Sequence, residues 1–150
     1  MRPPQRSGTS WTAVRADGST IVWFGETVAQ KTVKACNQIV VAATVTALAE
    51  AMALASSAGL DLEKVQSVLS GGLANSEVLT QKGRRWIAQD FDGGGSAKNQ
   101  RKDLRFITET AGRKGLKLPL AACLKSAFED MIAAGDGDLD HTGIYRTILT

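Results

Sequence analysis

The chain has 150 residues, 43% hydrophobic and 22% charged, with only 3 prolines. That is enough for one hydrophobic core, too little for two full domains, and too apolar for global disorder. No run of about 20 uninterrupted apolar residues occurs, and the opening MRPPQRSGTS has no apolar signal core. A soluble cytoplasmic domain without a membrane span is therefore expected.

The net charge of +3 lies entirely in residues 1–34, where Arg2, Arg6, Arg15, Lys31 and Lys34 outnumber Asp17 and Glu26. Two later basic clusters, Lys82-Arg84-Arg85 and Lys98-Arg101-Lys102-Arg105, are interleaved with or followed by Asp90, Asp92, Asp103 and Glu109. Such mixed runs read as solvated helix faces, so no nucleic-acid partner is expected.

In chain order, residues 1–10 read as a flexible lead-in. The β-type runs 11–14 and 20–24 flank Ala16-Asp17-Gly18-Ser19, the pattern of a short hairpin. From Val28 the pattern turns helical. Val33, Cys36, Val40, Ala43 and Ala47 form an apolar stripe, widened by Ile39, Val41, Val45, Leu48, Met52 and Leu54. This helix, over 28–57, should reach about 45 Å. Being apolar around most of its circumference, it must lie centrally or be shared with a second subunit. Gly59 closes it in the C′ position.

Asp61 then caps a short helix bearing Leu62, Val65, Val68 and Leu69, stopped by Gly71-Gly72. Ser76 caps another, with Val78, Leu79, Trp86 and Ile87 as its core candidates. Residues 90–96 form a glycine-rich break. The next helix, 98–112, has Leu104, Ile107 and Ala111 on one face and Phe106 beside it. Pro119 opens a further helix whose inner side is expected to carry Leu120, Cys123, Leu124, Ala127, Phe128 and Met131. After the loop Gly135-Asp136-Gly137-Asp138, Asp140 caps a last helix with Ile144, Tyr145, Ile148 and Leu149. The expected fold is mainly α: a multi-helical bundle around one long helix, preceded by a short β-hairpin.

Several chemistries find no support in the residues. There is no GxGxxG after a strand and no phosphate-binding P-loop. Gly93-Gly94-Gly95-Ser96 precedes a helix and could cradle an anion, though a plain flexible loop accounts for it as well. His141 has no second ligand at metal spacing, so no metal site is expected; it reads as an exposed residue in a first helical turn. Cys36 and Cys123 sit singly in apolar patterns and read as buried reduced thiols.

Lys34-Ala35-Cys36-Asn37-Gln38 stands out. Lys34 with Asn37 (i, i+3) and Gln38 (i, i+4) shares one helix face. A lysine there can donate a proton to a developing alkoxide, and the amides can hold a carboxylate or hydroxyl. An amphipathic first turn facing water fits the same pattern. Lys102 and Asp103, being adjacent, diverge by roughly 100° around their helix and cannot simply pair with each other.

Taken in order, Lys34-x-x-Asn37-Gln38, Leu48-Ala49-Glu50-Ala51, Ala58-Gly59-Leu60-Asp61, Lys102-Asp103-Leu104, Leu118-Pro119-Leu120 and Gly135-Asp136-Gly137-Asp138-Leu139-Asp140 form a series. Over residues 28–150 that series resembles the helical C-terminal domain of the β-hydroxyacid dehydrogenases. These include 3-hydroxyisobutyrate dehydrogenases and 2-hydroxy-3-oxopropionate (tartronate semialdehyde) reductases, with a C-terminal domain like that of 6-phosphogluconate dehydrogenase. The Asn-Gln after the lysine is more like the reductases.

The resemblance implies that Lys34 is the catalytic general acid–base, that Asn37 and Gln38 bind substrate, and that Lys102 meets the nicotinamide end of NAD or NADP. It also implies a small hydroxyacid or semialdehyde substrate and a homodimer, or higher homo-oligomer, formed through the helical domain. There are departures. Gln30-Lys31 replaces the family's glycine-Gln turn, and Gly93-Gly94-Gly95 replaces its Pro-Gly-Phe loop. Asn99 stands where an apolar residue is usual. Residues 1–27 are expected to be a tail and hairpin, the remnant of a Rossmann domain, and residues 28–150 the helical domain. The chain alone is then expected to bind no cofactor and to be inactive; the alternative reading is a truncated, non-catalytic dimerisation module.

Overall fold

A computed structural model describes residues 14–15, 21–22 and 27–150. The chain divides into two compact units, Met1–Cys36 and Asn37–Thr150. In the first, β1 (Val14–Arg15) and β2 (Ile21–Val22) pair antiparallel, with Val14 opposite Val22 and Arg15 opposite Ile21. The rest of the expected hairpin falls outside the described residues. Among the described residues every regular element from Thr27 onward is helical, as the periodicity predicts.

Helix α1 (Thr27–Ser57, 31 residues) contains neither glycine nor proline, so nothing interrupts its hydrogen-bond ladder. It ends where expected: Gly59 takes φ 72°, and the Gly59 and Leu60 amides donate back to the Ser56 and Ala55 carbonyls. Ala42, Val45, Ala49 and Met52 are fully buried, with Leu48, Ala53 and Ala55 nearly so. The buried face is thus not the stripe running through Val40 and Ala47. Val40 is 64% exposed, Ala47 and Cys36 are also exposed, and Leu54 is 73% exposed. On a helix apolar nearly all round, periodicity marks two faces and cannot say which one packs. By length and composition, Ala29–Ser57 is apolar enough to cross a membrane; here its inward side chains are part of the helical core.

Asp61 caps α2 (Leu62–Ser70), its carboxylate accepting the amides of Glu63 and Lys64. None of the residues of α2 is fully buried. Ser76 caps α3 (Glu77–Ala88) through the Leu79 amide, and Leu79, Gly83 and Trp86 are buried. Val78 and Ile87 are only half-buried. The row Leu79-Gly83-Trp86 carries a glycine where α2 approaches: a Cβ at Gly83 would sit 2.5 Å from the Gln66 amide nitrogen.

Ser96 caps α4 (Ala97–Arg113), which buries Ala97, Gln100, Leu104, Ile107 and Ala111 along one stripe against α5 (Pro119–Met131). On α5 the buried residues are Ala121, Leu124, Phe128 and Met131. Leu124, Phe128 and Met131 are as expected, but Ala121 completes this face in place of Leu120, which is 54% exposed, and of Cys123, which is exposed too, while Ala127 is half-buried. Ala121 is small enough to lie flush against α4, and the helix turns its bulkier neighbours outward. A widened turn (Ile132–Asp136, with Gly135 at φ 95°) and a tight helical turn (His141–Gly143) lead into α6 (Ile144–Leu149).

A single carboxylate joins the later elements. Asp140 is fully buried. Its Oδ2 accepts from Lys82 Nζ of α3 at 2.7 Å and from the Gly95 amide at 3.0 Å. Its Oδ1 accepts from the Thr142 amide and hydroxyl at 3.0 and 2.7 Å. The backbone repeats the join, with the Asp140 amide on the Phe91 carbonyl and the His141 amide on that of Gly95, both 2.8 Å. Trp86 Nε1 adds a bond to the Thr142 carbonyl. Burial by itself would raise the Asp140 pKa, but the hydrogen bonds from Lys82 and Thr142 outweigh it and hold the carboxyl below its ordinary value.

His141 is 8% exposed, not the solvent-facing residue expected. The backbone bond to Gly95 draws the turn inward and carries the ring with it. Nδ1 lies 3.1 Å from Gln100 Oε1, which accepts from it in the tautomer that carries the hydrogen on Nδ1. Burial drives the His141 pKa down to about 4, opposed by Asp140 and reinforced by Lys82 and Arg85.

Two predictions follow from this join. The unfolded chain protonates His141 near pH 6.5, whereas the folded chain keeps it neutral to about pH 4. Protons therefore bind only the unfolded state in that window, and stability should fall by about 3 kcal/mol between the two values. Urea unfolding at a series of pH values should show this loss, and His141→Gln should flatten it; Asp140 adds a further loss only as the pH falls below its ordinary value of 3.8 towards its lowered one. Gly94 has φ 83°, and a Cβ there would overlap the Asp140 carboxylate, while Gly93 has φ 71° with open space around it. Gly94→Ala should thus cost about 2–4 kcal/mol and Gly93→Ala about 1 kcal/mol, compared by thermal unfolding.

Candidate functional site

The side of α1 that bears polar groups is built at its N-terminal half. Lys34, in the first unit, is exposed. In the second unit Asn37 is exposed and Gln38 half-buried. Gln38 Nε2 donates to Asp103 Oδ2 of α4 at 2.7 Å, a bond between residues 65 positions apart. Asp103 is half-buried at the margin of the packed stripe of Gln100, Leu104 and Ile107, and Lys102 next to it is exposed. The adjacent charges do diverge: one turns towards α1 and the other towards solvent.

That bond sets the orientation of the Gln38 amide. A carboxylate oxygen only accepts, so Nε2 must face α4 and Oε1 must face away. The flipped amide would place oxygen against oxygen and lose a charge-assisted hydrogen bond, about 1.5–3 kcal/mol. Oε1 has no hydrogen-bond partner among the described residues. Within the second unit, this end of α1 therefore offers a fixed acceptor at Gln38 and an exposed amide at Asn37. The sequence drew attention to Lys102-Asp103-Leu104 but gave Asp103 no partner. The available signal was its place beside a buried stripe, where a carboxylate needs a donor.

Other candidates change character. The Gly95 amide is taken by Asp140, and Arg85 Nη1 donates to the Asp90 and Asp92 carbonyls. The glycine-rich segment is thus not a slack loop but is fastened from both sides, and its Gly95 amide is already taken. Cys36 and Cys123 are free and exposed rather than buried, since each falls on the outward side of its helix. Among the described residues no group of three His, Cys, Asp or Glu could hold a metal ion. Within the basic clusters Lys98 pairs with Asp138, Arg105 with Glu109, and Lys82 with the buried Asp140, while Lys102 has no ion pair among the described residues. An open apolar groove of about 390 Å³ lies along α2, lined by Leu60, Asp61, Lys64, Val65, Val68 and Leu69, and includes none of the α1 or α4 polar residues.

Residues 29–148 match the family model described as NAD-binding of NADP-dependent 3-hydroxyisobutyrate dehydrogenase. The chain is 34% identical over 131 residues to 2-hydroxy-3-oxopropionate reductase of Escherichia coli K12, covering 87% of this chain and 45% of that protein. It is 36% identical over 106 residues to a probable mitochondrial 3-hydroxyisobutyrate dehydrogenase-like protein of Arabidopsis thaliana, covering 71% and 32%. Among solved structures, the 3-hydroxyisobutyrate dehydrogenase of Salmonella typhimurium superposes with TM-score 0.76 at 28% identity, covering 79% of this chain and 42% of that one. The Mycobacterium tuberculosis 3-hydroxyisobutyrate dehydrogenase, solved with L-serine, gives 0.72 at 25% identity, covering 81% and 44%. The chain spans less than half the length of each of these relatives. With a family match running from the first turn of α1 almost to the end of α6, the chain belongs to the β-hydroxyacid dehydrogenases, a family of NAD(P)-dependent oxidoreductases.

Proposed function

We propose that residues 28–150 form the substrate-binding and dimerisation part of an NAD(P)-dependent β-hydroxyacid dehydrogenase acting on a 2-hydroxy-3-oxopropionate-type semialdehyde, with Lys34 as general acid–base. The observation that carries this reading is the bond between Gln38 and Asp103. It joins the two segments, Asn37-Gln38 and Lys102-Asp103, in which the family resemblance concentrates substrate and cofactor contacts. Identity does not separate the two substrates, at 34% to the E. coli reductase and 36% to the 3-hydroxyisobutyrate dehydrogenase-like protein; the Asn37-Gln38 pair, more like that of the reductases, favours the hydroxyl-bearing semialdehyde.

Reduction needs a hydride at the carbonyl carbon and a proton at the carbonyl oxygen; a bound reduced nicotinamide supplies the hydride. Lys34 Nζ donates the proton as the oxygen gains charge, and in the reverse direction takes the hydroxyl proton. Asn37 and Gln38 hold the carboxylate and hydroxyl of the substrate. Lys102, exposed and without an ion pair among the described residues, would meet the nicotinamide end of the cofactor. No glycine fingerprint for the pyrophosphate occurs in these 150 residues. A dinucleotide therefore has no phosphate cradle within them, and the chain by itself is expected neither to retain one nor to turn over.

A second reading, a dimerisation module without catalysis, is supported by the apolar side chains left on the surface: Val40, Leu54, Leu60, Val68 and Leu73 are each more than half exposed. Both readings place a homodimer or higher homo-oligomer on these surfaces. Sedimentation should accordingly give an oligomer at micromolar concentration, reduced to monomer by Leu54→Glu; a wild-type monomer would count against both.

The catalytic reading predicts that D-glycerate, the reduced acid, shifts the backbone amide resonances of α1 around Lys34 and Gln38. Lys34→Ala should weaken that binding about ten-fold, the loss of one charge-assisted hydrogen bond. Glycerate binding that Lys34→Ala leaves unchanged, or oxidation of NADH by tartronate semialdehyde with the 150-residue chain alone, would each contradict part of it.

A further inference from the structure

We infer that Asp103 is a positioning residue that fixes the Gln38 amide with its oxygen outward, and so selects acids carrying a hydroxyl, rather than a methyl, on the carbon next to the carboxylate. The inference rests on the substrate-binding reading above and goes beyond it by naming the residue and the bond that decide the substrate class.

A glutamine free to turn over offers a ligand either an N–H or an oxygen and discriminates weakly. Gln38 is not free, because Nε2 is 2.7 Å from Asp103 Oδ2. Asp103 has no cation paired to it among the described residues: Lys102 points to solvent, Arg105 pairs with Glu109, and Lys98 pairs with Asp138. The glutamine amide is thus the donor that satisfies this half-buried carboxylate, and the outward Oε1 is a permanent acceptor. A substrate hydroxyl at C2 can donate to it. A methyl of similar size in the same place cannot, and leaves the carbonyl unpaired inside the complex, which is the stronger form of discrimination by a polar site.

Glycerate and 3-hydroxyisobutyrate differ at C2 by that exchange of hydroxyl for methyl, so their relative affinity reads the Gln38 orientation directly. Titrating each acid into the full 150-residue chain, followed by amide NMR, should give about five-fold tighter binding of glycerate to the wild type. Asp103→Leu should bring the ratio close to one while both acids still bind. Asp103→Asn should fall between, because its oxygen still accepts from Gln38 but its amide nitrogen allows the flipped orientation. A purely structural bond would weaken both acids together and leave the ratio unchanged. An unchanged ratio in Asp103→Leu, or equal affinities in the wild type, overturns the role of Asp103 while leaving the substrate-binding reading standing. If neither acid moves the α1 resonances, the substrate-binding reading fails and this inference fails with it.

Discussion

A buried carboxylate with four donors around it is the constraint on which the C-terminal half depends. Asp140 has no exposed surface, and an ion in that position is tolerated only when every oxygen is satisfied. Satisfying it requires Lys82 to reach in from α3, the glycine segment to bring its Gly95 amide close, and the Thr142 turn to fold back. None of these can shift without stranding the charge. The positions of α3, the start of α4 and the final turn are therefore mutually dependent, although they are far apart in sequence. The same packing leaves His141 inside the bundle in its neutral form, with Nδ1 directed at Gln100.

Helix existence was legible in the chain because caps and periodicity act locally. Asp61, Ser76 and Ser96 each accept the amides that a cap must, and Gly59 takes the left-handed conformation only glycine adopts easily. Which face packs was less legible wherever a helix is apolar on more than one side. On α1 and α5 small residues such as Ala42, Ala49 and Ala121 share the buried face with Val45, Met52, Leu124 and Phe128, while Val40, Leu54 and Leu120 point outward. Hydrophobicity ranks Val and Leu above Ala, whereas close approach of two helices ranks them the other way. His141 and the two cysteines depart from their local pattern for a related reason. Their environment is set by a backbone bond or a helix rotation that no residue in their own segment announces.

For the site, residue types and spacing on α1 and the divergence of Lys102 from Asp103 could be read directly, because helix geometry alone fixes them. The pairing across 65 residues could not, since it depends on how α1 and α4 meet. Nor could the fate of the glycine-rich segment, whose amide serves the protein's own carboxylate instead of a ligand. Both cases have one cause: a polar group's role follows from the nearest unsatisfied partner in space.

The outward side of α1 has an order of its own. Val40, Ala47 and Leu54, all exposed, recur every seven residues. An undistorted α-helix drifts by about 20° over each such repeat, so this seam winds slowly around the axis as a left-handed stripe. A straight partner laid against it steeply would meet only one of the three side chains. A helix lying nearly alongside, crossing at about 20° and coiling gently with it, would meet them all. The handedness of any neighbour that covers this stripe is thus already written in its spacing.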